Sequence, residues 1–205
     1  MCMRAAPWTQ TVLWLLVSTF LFACEPSGGD VDQTAQLQGG TSSPGTAFIT
    51  DVLTDIAQVQ EKVISLAEEF GDEPYAWRPG EGVRSGAEVF MHIAAINYFS
   101  ASAAGINPPE STGLDLSDPA TTFPAYEASA STKDSVLVQL RASFEHLRTA
   151  IESTRGRNLD QEVEVFGEPL TLRSLWIGHG GHLHEHLGQL IAYARVNGVV
   201  PPWSQ

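Results

Sequence analysis

The sequence predicts an all-α four-helix bundle, and three observations carry that prediction. Apolar residues recur at three- and four-residue spacing in four separate segments, capping or breaking residues bound each segment, and no run of alternating residues is long enough to sustain a sheet. In the first segment Ile49, Val52, Leu53, Ile56, Val59, Val63, Leu66, Ala67 and Phe70 form one stripe that ends at Gly71. The second opens with Ser85-Gly-Ala-Glu88, in which Ser and Glu can satisfy orphan backbone donors reciprocally. Its stripe runs Val89, His92, Ile93, Ile96, Phe99 and Ala103. The Pro- and Gly-rich connection 105–130 shows no clear regular element and reads as a long covering loop between the second and third helices. The third helix opens at Ser131-Thr-Lys-Asp134 and continues through Val136, Leu137, Leu140, Phe144, Leu147 and Ile151. Glu162-Val-Glu-Val-Phe166 alternates polar and apolar before Gly167 and reads as a short strand or an extended turn. The fourth helix starts near Thr171 and runs to about Asn197, closed by Gly198 and Pro201-Pro202. No internal repeat of the solenoid kind is present.

The N-terminal end reads as an address label rather than as part of the fold. Arg4 is the only charge before Glu25, and Thr11 to Ala23 is a continuous, mostly apolar run. As a helix it would cover about 20 Å, short of the roughly 30 Å hydrocarbon core, which suits a signal segment better than a membrane span. The run stops at Leu21-Phe-Ala-Cys24, which resembles a bacterial lipobox, although Phe22 departs from the usual small or β-branched residue. On that reading residues 1–23 are a lipoprotein signal peptide and Cys24 is the lipidated N-terminus of the mature chain; the alternative is an ordinary secretory signal. Residues 24–45 are rich in Gly, Ser, Thr, Gln and Pro and read as a flexible tether, leaving 46–205 as the bundle. Such a protein is expected in the cell envelope, lipid-anchored to a membrane and facing the periplasm or exterior.

Composition excludes several classes of function. The chain carries 11 Lys+Arg against 24 Asp+Glu, a formal net charge of −13. Loss of Arg4 with the signal makes the mature chain more acidic still, which disfavours phosphate backbones and therefore nucleic acid. Cys2 would leave with the signal, so the mature chain has no second thiol for a disulfide or a Cys-based metal site. There is no Gly-x-Ser-x-Gly elbow and no phosphate-binding glycine loop.

The histidines are the chemistry-bearing residues. Of 6 in the chain, His179, His182, His184 and His186 fall within one short stretch. On a helix His182 and His186 are about 40° apart, stacked on the inward stripe with Leu183, Leu187 and Leu190. His179 points roughly the same way, His184 faces the outer side, and His92 lies on the inward stripe of the second helix. An unpaired imidazole in an apolar core costs on the order of 1–3 kcal/mol, so three together call for something that satisfies them collectively. A divalent metal does so: His92 with the pair His182 and His186 supplies three nitrogens, and three protein ligands with an open position is the pattern of a catalytic zinc site. Zinc is the favoured ion, while nickel and iron also accept imidazole. His146 in the third helix reads as a surface or capping residue, and Glu185 as a weak candidate for a general base.

Two stretches resemble the DinB-like family, related to YfiT-type metal hydrolases. One is Trp77-Arg-Pro-Gly-Glu-Gly-Val-Arg-Ser85 leading into Val89-Phe-Met-His92; the other is His182-Leu-His-Glu-His186-Leu-Gly-Gln189 continuing to Gly198-Val-Val-Pro-Pro-Trp203. The resemblance extends over about residues 45–205 and implies a four-helix bundle with His92, His182 and His186 as metal ligands. Leu187 stands where the family often has a basic residue, and Gln189 is expected to support the ligands or pack the helix. What the resemblance implies for function is a metal-dependent hydrolytic or thiol-transfer reaction, with no DNA role. Scarcity of reduced thiol cofactors outside the cytoplasm counts against the thiol version. The alternative is a non-catalytic envelope module that binds a metal or a small ligand; bundles of this kind can also form homodimers.

Overall fold

The computed structural model describes residues 43–205; the signal segment, Cys24 and most of the tether lie outside the described residues. Helix α1 spans Pro44–Glu69, with Ser43 Oγ accepting from the Thr46 amide at 3.3 Å and Pro44 at the first helical position. Pro44 and Gly45 are thus the first turn of the bundle rather than the end of the tether. A short helix, α2 (Asp72–Ala76), precedes α3 (Gly86–Ala103), which opens on the Ser85/Glu88 capping box expected from the sequence.

The connection 105–130 is not an unstructured loop, and here the sequence reading is corrected. It contains a 3₁₀ turn at Glu110–Thr112 and a helix, α4 (Pro119–Glu127). Asp118 caps α4 through the Thr121 amide and Pro119 takes the first position, so the local chemistry favours a helix start despite Pro124 within it. Helix α5 (Lys133–Ser153) follows, capped by Thr132. Strands β1 (Glu162–Val165) and β2 (Glu168–Thr171) then form an antiparallel hairpin. Its two-residue turn, Phe166-Gly167, has φ of 52° and 80°, the left-handed pair of a type I′ turn. Gly adopts that conformation freely, whereas for Phe it costs about 1–2 kcal/mol. Helix α6 (Leu172–Val196) is capped by Thr171, ends at left-handed Gly198 (φ 75°), and leads to a 3₁₀ turn at Pro202–Ser204.

The four long helices close a ring in the order α1, α5, α3, α6, so that α3 and α6 are neighbours. The sequence reading gave each helix one apolar stripe, and three of the four keep a polar face. Helix α3 is instead buried on every side, from Ala87 and Val89 through Ile93, Ala94 and Ala101. The reason is tertiary: α4 and the hairpin cover the face of α3 that a bare bundle would leave wet. Phe70 meets Tyr75 and Phe90 edge-on at one end, and the last two are tilted against each other, with centroids 5.3 to 5.8 Å apart. No helix among the described residues is long and apolar enough to cross a membrane.

Gly86, the first residue of α3, makes this packing possible. A Cβ there would collide with the Pro74 carbonyl oxygen and lie 3.2 Å from Phe70 Cε2. Gly86→Ala is therefore expected to lower the unfolding free energy by about 1–3 kcal/mol, although alanine is the better helix former. A chemical-denaturation midpoint equal to wild type would show that α2 yields without strain.

Candidate metal centre

Helical phase and the ring order of the bundle together build this site. His92 projects from the middle of α3, and His182 and His186 project one turn apart from the adjoining face of α6. The three Nε2 atoms converge: His182 Nε2 is 3.2 Å from that of His92 and 3.1 Å from that of His186, and all three potential ligand atoms fall within 4.8 Å of one another.

Two of the three remaining ring nitrogens are held from behind. Glu127, the last residue of α4, accepts a hydrogen bond from His92 Nδ1 at 2.6 Å. Its other contacts come from Arg84, which donates Nε to Oε2 at 2.7 Å and Nη2 to Oε1 at 3.0 Å. Gln189 Oε1 accepts from His186 Nδ1 at 2.8 Å, Gln189 Nε2 donates to the Tyr193 hydroxyl at 3.0 Å, and that hydroxyl donates to the Arg84 carbonyl at 3.1 Å. The Trp77 ring packs edge-on against Tyr193 with centroids 5.0 Å apart. The chain of contacts therefore runs from the loop before α3, through α6, and back to the loop.

These partners decide where the protons sit. A carboxylate only accepts, and Gln189 Oε1 only accepts, so His92 and His186 each carry their proton on Nδ1 and turn an Nε2 lone pair inward. Burial opposes ionisation of Glu127, but the hydrogen bonds from His92 and Arg84 and the charge of the Arg84 guanidinium outweigh it and hold its carboxyl below the usual range. Burial, with the neighbouring His186 and His92, pushes His182 down to about 3, and burial likewise lowers His186. His182 Nδ1 is buried and has no hydrogen-bond partner among the described residues. At least two lone pairs thus face each other with nothing but the third ring between them, an arrangement that fits a divalent cation and fits a simple hydrogen-bond network poorly.

The other histidines sort as their helical phase suggests. His184 is exposed and its Nε2 meets Asp55 Oδ1 of α1 at 2.9 Å, away from the cluster. His179 is buried, with Nδ1 2.9 Å from Ser100 Oγ, and its ring lies 6.5 Å from that of His182. His146 donates to the Ile106 carbonyl at 3.1 Å, a capping contact just beyond α3. Glu185 is exposed, and Leu187 is buried in the core. Two functional contacts escaped the sequence reading: Glu127, which fell in the segment taken for a loop, and Arg84, whose partner lies 43 residues away. Asp118-Pro119 is a helix start signal, but Pro124 five residues on argues against a helix that reaches Glu127.

Glu127→Ala removes the acceptor that fixes the His92 ring while keeping a good helix former in α4. It is expected to lower zinc affinity about 10–100-fold, the usual effect of losing an outer partner of a metal-ligating histidine. Competition against a chromophoric chelator measures this, and an unchanged affinity would mean that the ring is positioned by packing alone.

Comparison with known proteins agrees with this architecture. No curated protein matches the chain. Among solved structures it is similar to a DinB-like protein from Bacillus subtilis, at 21% identity and a TM-score of 0.56, over 76% of this chain and 97% of that one. It is also similar to a DinB-like protein from Bacillus cereus, at 15% identity and a TM-score of 0.57, over 75% of this chain and 95% of that one. At such identities the likeness is one of fold. The family model of the DinB superfamily matches residues 55–190, which takes in the second half of α1, all of α3, α4 and α5, most of α6 and all three converging histidines, and on that match this chain belongs to the DinB superfamily.

Proposed function

We propose that this protein is a membrane-anchored DinB-superfamily bundle in which His92, His182 and His186 hold a divalent metal, zinc before nickel or iron, for a hydrolytic or thiol-transfer reaction. The observation that carries this reading is the convergence of three Nε2 atoms within 4.8 Å, two of them oriented by acceptors at Nδ1. A bound divalent metal supplies Lewis acidity that makes a water or a thiol nucleophilic near neutral pH. The chain's own residues supply orientation. Glu127 and Gln189 keep the Nδ1 protons of His92 and His186 in place, and Arg84 keeps Glu127 ionised. The hairpin forms one wall of the cleft that His92 and His182 also line.

A second reading has its own support. Both oxygens of Glu127 are engaged, and Glu185 is exposed on another face of α6, so neither stands ready as a proton acceptor beside the cluster. That favours a non-catalytic envelope module that binds a metal or small ligand. Metal analysis of the chain purified after growth with zinc, nickel and iron tests what the two readings share: a chain free of bound metal, and unable to take up zinc on titration, would sink both. A panel of ester, amide, phosphoester and thiol-conjugation substrates, run with and without chelator, then separates them. Turnover that chelation abolishes supports the enzyme.

Anchoring rests on Leu21-Phe-Ala-Cys24 and the apolar run before it. In a bacterial host, Cys24→Ser is expected to move the protein out of the membrane fraction and abolish incorporation of labelled fatty acid. Unchanged membrane association would point to another mode of attachment, whereas a wild-type chain already free of the membrane would favour the ordinary secretory alternative.

A further inference from the structure

Beside the histidine cluster, the hairpin roofs a cleft of about 410 Å³ against α3 and α6. Its walls are apolar: Ile96 and Phe99 from α3, Val165, Phe166 and Leu170 from the hairpin, and Leu175 from α6. No Asp, Glu, Lys or Arg lines it among the described residues; its polar side chains include His92, His182 and His179. His179 is 3% exposed, and because Ser100 engages its Nδ1, the Nε2 is left without a partner among the described residues. An apolar pocket with a few convergent polar groups next to a candidate reactive centre is the usual form of a small-molecule site.

The roof has an unusual residue at its tip. Phe166 occupies a left-handed position where a two-residue turn favours Asn, Asp or Gly. The residue is 64% exposed, yet its ring stacks on Phe99, centroids 4.3 Å apart and planes 23° from parallel. The same two rings line a second, larger cleft of about 810 Å³ with Leu116 and Phe123, so the stacked pair is the partition between the two spaces. A strained backbone that holds an aromatic ring over a cleft points to a role for the ring rather than for the turn.

We propose that this cleft binds the apolar, aryl or alkyl portion of a neutral ligand whose polar end reaches the three-histidine face, and that Phe166 is the wall that sets which apolar group fits. The assignment rests on the metal reading for the polar end but not for the apolar one. The neutral character follows from the absence of charged side chains around the cleft, and the apolar character from six hydrophobic walls. With Ser100 Oγ donating to Nδ1, the unpartnered His179 Nε2–H is one donor of the chain's own that a carbonyl could meet there.

The test uses the purified full-length chain and two kinds of probe. On zinc-loaded protein, 4-phenylbutanoyl hydroxamate is expected to bind at least tenfold tighter than acetohydroxamate, as burial of the extra apolar surface requires. On zinc-free protein, 4-phenylbutanamide is expected to bind saturably by ligand-observed NMR. Phe166→Asn puts a favoured residue in the turn, so the melting temperature is expected to hold or rise while both aryl effects fall away; Leu170→Thr, on another wall, is expected to give the same loss. Equal hydroxamate affinities, no amide binding to the zinc-free chain, or aryl effects that survive Phe166→Asn would each overturn the proposal. Failure to load zinc would instead sink the metal reading, with the amide measurement still deciding this one.

Discussion

Replacement of His182 by Ala is expected to weaken zinc binding by roughly a hundredfold or more, beyond the 10–100-fold typical of losing an outer partner. His182 is the central member of the cluster, 3.2 Å from His92 Nε2 and 3.1 Å from His186 Nε2, so its loss leaves two nitrogens with no third between them. Folding should survive, because its Nδ1 makes no hydrogen bond within the described residues and the side chain is only partly buried. The two effects can therefore be separated: chelator competition reads the affinity, and thermal denaturation of the metal-free chain reads the fold. Zinc retained at wild-type affinity would show that the ion sits elsewhere. If metal-dependent turnover is found, it should vanish with the same substitution.

The largest stability effect is expected from Phe90→Ala. Phe90 is fully buried on α3 and meets Phe70 at 5.3 Å and Tyr75 at 5.7 Å between ring centroids. Truncation removes the ring from the centre of an interlocked cluster whose neighbours, pinned by the turn into α3, can close only part of the void. A loss of about 3–5 kcal/mol is expected, measured by urea denaturation with metal removed. A loss below about 1 kcal/mol would mean that α2 relaxes into the space. Because His92 follows two residues later on the same helix, metal affinity in this variant also reports how firmly the cluster fixes the helix.

Much of the fold was legible because it is written in local pattern. The four long helices follow from apolar periodicity, and their ends from Ser85, Thr132, Thr171 and Gly198, each of which acts within one turn of itself. The inward phase of His182 and His186 follows from their spacing, and that of His92 from its place between Val89 and Ile96. Gln189 is three residues past His186, so its contact with that ring is also local. What could not be read is what the ring order of the bundle decides. Nothing near Glu127 in sequence points to a histidine 35 residues before it, and Pro124 argues against the helix that carries it. The burial of α3 on all sides is illegible for the same reason: it depends on a cover supplied by other segments. Phe166 is the opposite case, a residue whose local chemistry argues against its own position.

The cluster joins positions far apart along the chain, since His92 and His182 are separated by 90 residues. An ion held there would act as a clasp around a loop that contains α4, α5 and the hairpin, in effect a removable crosslink between the middle of the chain and its C-terminal helix. At an ion concentration a hundred times its dissociation constant, such a clasp adds about 2.7 kcal/mol to the folded state. Chelation would leave α6 held by its apolar contacts and by bonds such as Tyr193 to the Arg84 carbonyl and His179 to Ser100, and its amides would be the place to look for faster hydrogen exchange and new protease cuts. The same three side chains would then couple metal supply to the lifetime of the protein, a link that operates whatever reaction the centre performs.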